Sequence, residues 1–309
     1  MMVLYYHMEA AIKAVQLNKS YKNFQAVKNL SFTVNRGDVY GFLGQNGAGK
    51  STTIRMLLSL ISPDSGSVDY WGKSLLSHRK ETLSGIGAII EKSDLYKYLS
   101  AEDNIRIFAR MSGMKLSTKD VDVHLERVGL VERKKSKVGS FSQGMKQRMG
   151  IAVALVHNPE IIILDEPTNG LDPQGIADMR KLILSLNKDH GKTIVVSSHL
   201  LNEIEMVANR MIIIHKGSCV VEGKVSELLD PAQTLVKLKT TNLENTLSIL
   251  DQFSGLSSFA PTDDHIRLIM DRSLVPELIQ FLVSKNIAVL SVQPNHSLED
   301  YFIQLTQND

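Results

Sequence analysis

The octet Gly44-Gln45-Asn46-Gly47-Ala48-Gly49-Lys50-Ser51 constrains this chain more than any other stretch. Its outer glycines, four residues between them and Lys-Ser behind, match the pattern of a phosphate-binding loop. The surroundings suit that reading. Val39, Gly41 and Leu43 alternate as a strand before it, and Ile54, Leu57, Leu58 and Ile61 recur at i, i+3, i+4 and i+7 after it, a helix that Pro63 and Gly66 stop. In such a loop the glycines let backbone amides point inward at phosphate oxygens, and the helix N-terminus adds roughly half a positive charge. Lys50 is placed for the β and γ phosphates, the Ser51 hydroxyl for Mg²⁺, and Thr52 continues the first turn.

A second run, Ile161-Ile162-Ile163-Leu164-Asp165-Glu166, predicts a buried strand that ends in two acids. Parallel sheets place their ligands at the carboxyl ends of strands, and adjacent carboxylates repel, so packing alone gives no reason for the pair. Asp165 fits a Mg²⁺ partner and Glu166 the base that orients an attacking water.

Composition narrows the class. The chain has 309 residues, 43% hydrophobic and 22% charged, which is enough to bury a core. With 35 Lys and Arg against 33 Asp and Glu, no nucleic-acid surface is expected. The single cysteine, Cys219, allows no internal disulfide and no Cys-ligated metal; it is expected as a small buried hydrophobe in a reducing compartment. Apolar runs such as 161–164 and 211–214 fall far short of the roughly 20 residues needed to cross a bilayer. Residues 1–7 lack the basic start and apolar length of a signal peptide.

The chain divides by pattern. Ile12, Ala14 and Leu17, then Leu30, Phe32 and Val34, alternate as an antiparallel start. Residues 99–150 read as an inserted helical lobe, opened by the capping-box pair Ser100 and Asp103 and basic around 133–137. Strand and helix then alternate: 161–164, a helix near 176–188, 193–196, a helix from Leu200, and 211–214, the order of a mostly parallel sheet covered on both faces. Asp230-Pro231 marks a boundary. Beyond it come strands at 235–239, 265–270 and 287–292, and helices carrying Leu243, Leu247 and Leu250, then Pro276, then Leu298, Tyr301, Phe302 and Leu305. The expected domains are therefore 9–229 and a small α+β domain, 230–309.

Between the two chemical motifs lies Phe141-Ser142-Gln143-Gly144-Met145-Lys146-Gln147-Arg148. Together the three stretches make residues 10–225 resemble the ATP-binding cassette (ABC) ATPases, whose signature begins Leu-Ser-Gly-Gly-Gln. The resemblance implies an α/β P-loop NTPase fold with a mostly parallel sheet, an antiparallel β subdomain and a helical lobe. It implies ATP as substrate with Mg²⁺, and a pair of cassettes in which Ser142 and Gly144 face the γ-phosphate held by the opposite copy. Gln143 and Met145 depart from the signature. Tyr21 resembles the aromatic that stacks on adenine, although ordinary packing would also explain a tyrosine there. Asp172, in Asn-Gly-Leu-Asp, matches the loop at the dimer interface and also reads as a helix cap. His199 matches the switch histidine.

Glu91 departs from the family, which normally has a glutamine there that touches Mg²⁺ and the attacking water. A carboxylate can still bind Mg²⁺, but it adds negative charge beside the nucleotide. This substitution, the Ser-Gln-Gly-Met signature and the ending Ser297-Leu-Glu-Asp-Tyr-Phe resemble the branch that exports bacitracin-like peptides and lantibiotics. The implied protein is an ATP-hydrolysing subunit at the cytoplasmic face of the membrane, working as a homodimer or with a paired cassette on a separate membrane-spanning permease. A soluble cassette ATPase acting on ribosomes or DNA, or a nucleotide-controlled regulator, also fits the motifs.

Overall fold

The computed structural model describes residues 9–91, 94–228 and 234–296. The chain divides after Gly223 into two compact units. In the first, β1 (Ala10–Tyr21) and β2 (Phe24–Asn35) form an antiparallel hairpin with Ile12 opposite Val34 and Leu17 opposite Leu30. The inward positions step from Ala14 to Leu17 because a bulge lies between them, with Gln16 at φ 49°; one extra residue re-phases the alternation. β3 (Val39–Leu43) is wholly buried and belongs to a second sheet. The loop that follows opens α1 (Lys50–Leu57).

The sequence pattern extends this helix to Pro63, but it ends at Leu57. Ser59 turns left-handed at φ 52°, its N–H donates to Met56, and Leu60 N–H donates to Arg55. These two bonds make a Schellman motif, which closes a helix without glycine or proline.

Next come β4 (Ser65–Tyr70), β5 (Lys73–Ser74), α2 (Arg79–Ser84) and β6 (Ile86–Ile89). Only Val68 and Tyr70 of β4 are buried, so this strand carries too little apolar alternation to be read from sequence. The helical lobe contains α3 (Ala101–Met111), α4 (Thr118–Arg127) and α5 (Gln143–Ala154). Ser100 and Asp103 form a full capping box on α3, and Ser117 and Asp120 form a second on α4. β7 (Ile161–Leu164), α6 (Pro173–Lys188), β8 (Thr193–Ser198), α7 (Leu201–Glu205), β9 (Arg210–His215) and β10 (Ser218–Lys224) complete the unit.

Two sheets result. One is antiparallel, in the order β2-β1-β4-β5; the other runs β10-β9-β3-β8-β7-β6, with every pair from β9 to β6 parallel. Ile54, Met56 and Leu57 of α1 share one apolar cluster with Leu17, Leu30 and Phe32 of the first sheet and Phe42, Ile163, Val195 and Ile212 of the second. Cys219, on β10, is exposed rather than buried, because that edge strand carries none of the core. Although the residue is exposed, partial desolvation of the sulfur and the nearby Glu222 charge push its thiol above the ordinary range, which disfavours the thiolate.

The second unit runs α8 (Val225–Leu228), β11 (Thr234–Thr240), α9 (Leu243–Leu250), β12 (Leu256–Pro261), β13 (Ile266–Met270), α10 (Val275–Ser284) and β14 (Val289–His296). Its antiparallel sheet, in the order β12-β13-β11-β14, is the split βαββαβ arrangement. Leu250, Leu278 and Leu282 of the helices close its core over Val236, Leu238, Ile266, Leu268 and Met270. β12 has no buried residue, which is why sequence alternation does not disclose it. The boundary expected at Asp230-Pro231 and the helix expected over 298–305 lie outside the described residues.

The two apolar clusters share no residue; the first reaches no further than Ile214 and the second starts at Val236. A chain ending at Leu228 is therefore expected to keep one cooperative thermal transition by circular dichroism. Loss of that transition would make the second unit part of the first unit's core.

Candidate nucleotide site

Four parallel strands end at one edge of the large sheet, and each passes directly into a loop with chemistry. Register sets this: Leu43 of β3 lies beside Ser198 of β8, Leu164 of β7 beside Val196 of β8, and Ile89 of β6 beside Leu164. The phosphate loop therefore leaves β3, the acids leave β7, His199 leaves β8, and Glu91 lies just past β6.

The loop is shaped by backbone. Gly49, the residue before α1, sits at φ 105°, and a Cβ there would stand 2.5 Å from the Ala26 carbonyl oxygen. Lys50 is folded back under the loop and only 5% exposed. Its ammonium donates to the carbonyls of Gly44 at 2.5 Å and Gln45 at 3.2 Å, and lies 3.1 Å from Glu166 Oε1. The ammonium is thus hydrogen-bonded to two carbonyls and ion-paired, without a hydrogen bond, to the carboxylate.

Asp165 is 1% exposed. Its Oδ1 accepts from the Ser197 hydroxyl at 2.6 Å, whereas its Oδ2 is buried with no hydrogen-bond partner among the described residues. Glu166 sits at φ 50°, a conformation that side-chain-bearing residues seldom adopt. Its carboxylate is held on both sides, by Lys50 on Oε1 and by His199 Nδ1 at 2.9 Å from Oε2. A carboxylate only accepts, so that imidazole nitrogen carries the hydrogen.

Tyr21 lines the same cleft as Gln45, Asn46, Gly47, Gly49, Lys50, Ser51, Thr52 and Glu166, a space of about 300 Å³, and the residue is 44% exposed. Gly44 and Ala48 are buried behind it. Phe24, across the tight turn from Tyr21, is a second exposed aromatic in this cleft that the sequence reading missed; the signal was its place opposite Tyr21 in the hairpin. Ser142, Gly144 and Asp172 are elsewhere. They line a separate cleft with Gln143, Met145 and Gly170. There Ser142 caps α5 by accepting from Met145 N–H, and Asp172 caps α6 by accepting from Gly175 N–H at 2.8 Å.

The structure does not bring Glu91 to Ser51 and Asp165. Its carboxylate is turned onto Arg55 of α1 at 2.5 Å, on the surface, with the residue itself at φ 56°. Two further groups went unread. Ser197 bonds both acids, and Glu203 Oε2 accepts from Thr168 at 2.6 Å and Ser198 at 2.7 Å, tying the loop after β7 to the loop after β8. Two serines closing an otherwise Ile and Val strand were the available sign.

A profile of the ABC transporter family matches residues 27–169. The bacitracin transport ATP-binding protein BcrA of Bacillus licheniformis is 41% identical over 300 residues, covering 96% of this chain and 98% of its own. This chain belongs to the ABC transporter ATP-binding proteins. The lantibiotic transport ATP-binding protein SrtF of Streptococcus pyogenes is 43% identical over 68% of this cassette protein and 90% of itself. Among solved structures, cbiO1 from Clostridium perfringens, part of the ABC transporter complex cbiONQ, aligns with TM-score 0.65 and 28% identity over 71% of this chain and 90% of its own. A dimeric ATP-binding cassette bound to ADP and Pi aligns with TM-score 0.63 and 27% identity over 69% and 98%. The cassette binds ATP and hydrolyses it as the ATP-binding subunit of an ABC transporter.

Because the Gly49 cradle has no room for a side chain, Gly49→Ala is expected to lose ATP binding while the protein stays folded. Lys50→Ala is expected to do the same, because it takes the ammonium from the phosphates. Titration with a fluorescent ATP analogue beside a thermal melt checks both; undiminished affinity in either variant contradicts the assigned loop.

Proposed function

We propose that two cassettes of this kind close on ATP, each completing the other's site, and so drive a separate membrane-spanning permease that exports an antimicrobial peptide. One observation carries the pairing. Within one chain, the phosphate-loop cleft has no signature residue on its walls, and the signature cleft has no phosphate-loop residue. Gly144 supports it: a Cβ there would meet only Leu171, at 3.9 Å, so this chain's own packing does not require glycine. Close approach of a phosphate from a second copy does. Asp172 stands on the wall of the same cleft and would cross the interface.

Ser51, Asp165 and Glu91 are the residues that would hold Mg²⁺; for Glu91 this means leaving Arg55. The donor set fits a hard cation, and the buried, unpartnered Oδ2 of Asp165 is an oxygen in want of one. Bound there, Mg²⁺ supplies charge neutralisation at the β and γ phosphates. Lys50 then turns from Glu166 to the phosphates. Glu166, released on that side and still held by His199, orients the attacking water and takes its proton, while Tyr21 and Phe24 flank the base.

No helix among the described residues is long and apolar enough to cross a membrane. In this reading the pathway lies in a separate permease, and the cassette works at the inner membrane face. Residues 9–229 act as the cassette and 230–309 as an accessory domain toward partners. The names of the relatives support a bacitracin-like or lantibiotic-like substrate.

Glu166→Gln keeps the shape of the site but removes the base. It is expected to lower turnover by about two to four orders of magnitude and to accumulate an ATP-held dimer on size exclusion. A monomer with undiminished hydrolysis contradicts the pairing and the role of Glu166 together. Disruption of the gene is expected to sensitise its host to bacitracin or a lantibiotic; unchanged susceptibility to both would overturn the substrate class and leave the dimer untouched.

A further inference from the structure

β8 reads Thr193-Ile-Val-Val-Ser-Ser and is buried along its whole length. A hydroxyl in such a strand is costly unless bonded. Ser197 and Ser198 point to opposite faces, as neighbours in a strand do, and their bonds differ in kind. Ser198 donates to Glu203 Oε2 and accepts from Leu200 N–H, which ties down local backbone. Ser197 donates its one proton to Asp165 Oδ1 at 2.6 Å and accepts the backbone N–H of Glu166 at 2.8 Å.

Both acids of the site thus hang on one hydroxyl that is 0% exposed and does not line the cleft itself. The short, charge-assisted bond to Oδ1 removes the carboxylate's freedom to exchange its two oxygens, so Oδ2 is left unpartnered and presented in one direction. The bond from Glu166 N–H meanwhile fastens a residue at φ 50°, where a glutamate would not otherwise rest.

We propose that Ser197 is a positioning residue of the ATPase: through a single hydroxyl it aims Asp165 Oδ2 at the cation that accompanies ATP and holds the Glu166 backbone where its carboxylate reaches Lys50 and His199. Glutamate and aspartate are thereby set by one lever, so a change at Ser197 disturbs metal and base together. This rests on Asp165 facing the metal.

The full chain is titrated with AMP-PNP by calorimetry, once with Mg²⁺ and once with EDTA, and the ratio of the two dissociation constants reads the metal's contribution without turnover. Ser197→Ala is expected to shrink that ratio about tenfold, the usual loss when a group that orients a metal ligand is removed. Ser197→Thr keeps the hydroxyl and restores the ratio, Ser198→Ala leaves it at the wild-type value, and Asp165→Asn abolishes it. ATPase assays are expected to show the Ser197→Ala loss mainly in kcat. Should Ser197→Ala fail to fold in a thermal melt, Ser197→Cys is read in its place, since a thiol keeps the size but donates weakly. A Ser197→Ala ratio equal to wild type, with Asp165→Asn collapsed, overturns the inference. An Asp165→Asn ratio equal to wild type overturns instead the metal assignment beneath it.

Discussion

Parallel pairing of β3, β8, β7 and β6 is the constraint on which the rest of the cassette depends. Parallel strands all end at the same edge, and their register places Leu43, Ser198, Leu164 and Ile89 side by side there. Every functional loop starts within one or two residues of that line. A slip of one residue in any pair would exchange the side chains packed on the two faces and carry an acid, the histidine or the phosphate loop off target. Both requirements therefore fall on the same Ile and Val side chains, whose packing fixes the register.

α1 links this edge to the rest of the unit. Its first residue is Lys50, and its buried Ile54, Met56 and Leu57 lie in the cluster that joins both sheets. The helix is short because Ser59 and Leu60 cap it, and Arg55, near its end, reaches Glu91 beyond β6. One helix thus touches the phosphate loop at its start and the approach to the helical lobe at its end.

Much of this was legible beforehand, and the reason is physical. A phosphate loop needs glycines, lysine and serine at fixed spacing, and a strand buried on both faces needs an unbroken apolar run, so Gly44 to Ser51 and Ile161 to Leu164 announce themselves. The antiparallel strands β4 and β12 did not, since they show few or no residues to the core and alternation is the only mark a strand leaves. The end of α1 was misread because a Schellman motif closed by serine leaves no breaker residue. Ser197 and the Glu203 clasp went unread because serine and glutamate are common, and only their distances to Asp165, Thr168 and Ser198 give them meaning. Glu91 was visible as a departure, but its partner Arg55 lies 36 residues away in the chain.

The charges around the phosphate loop are set against one another. Lys50, the positive charge in the loop, is already matched by Glu166, and the carboxylate of Asp165 is buried with one oxygen unpartnered among the described residues. A bare anion that draws Lys50 to itself must therefore break this ion pair, and it leaves Asp165 Oδ2 as it was. A polyphosphate that carries its own cation supplies what Asp165 lacks and frees Lys50 in the same event. A nucleotide with its cation thus answers both charges at once, which a bare anion does not.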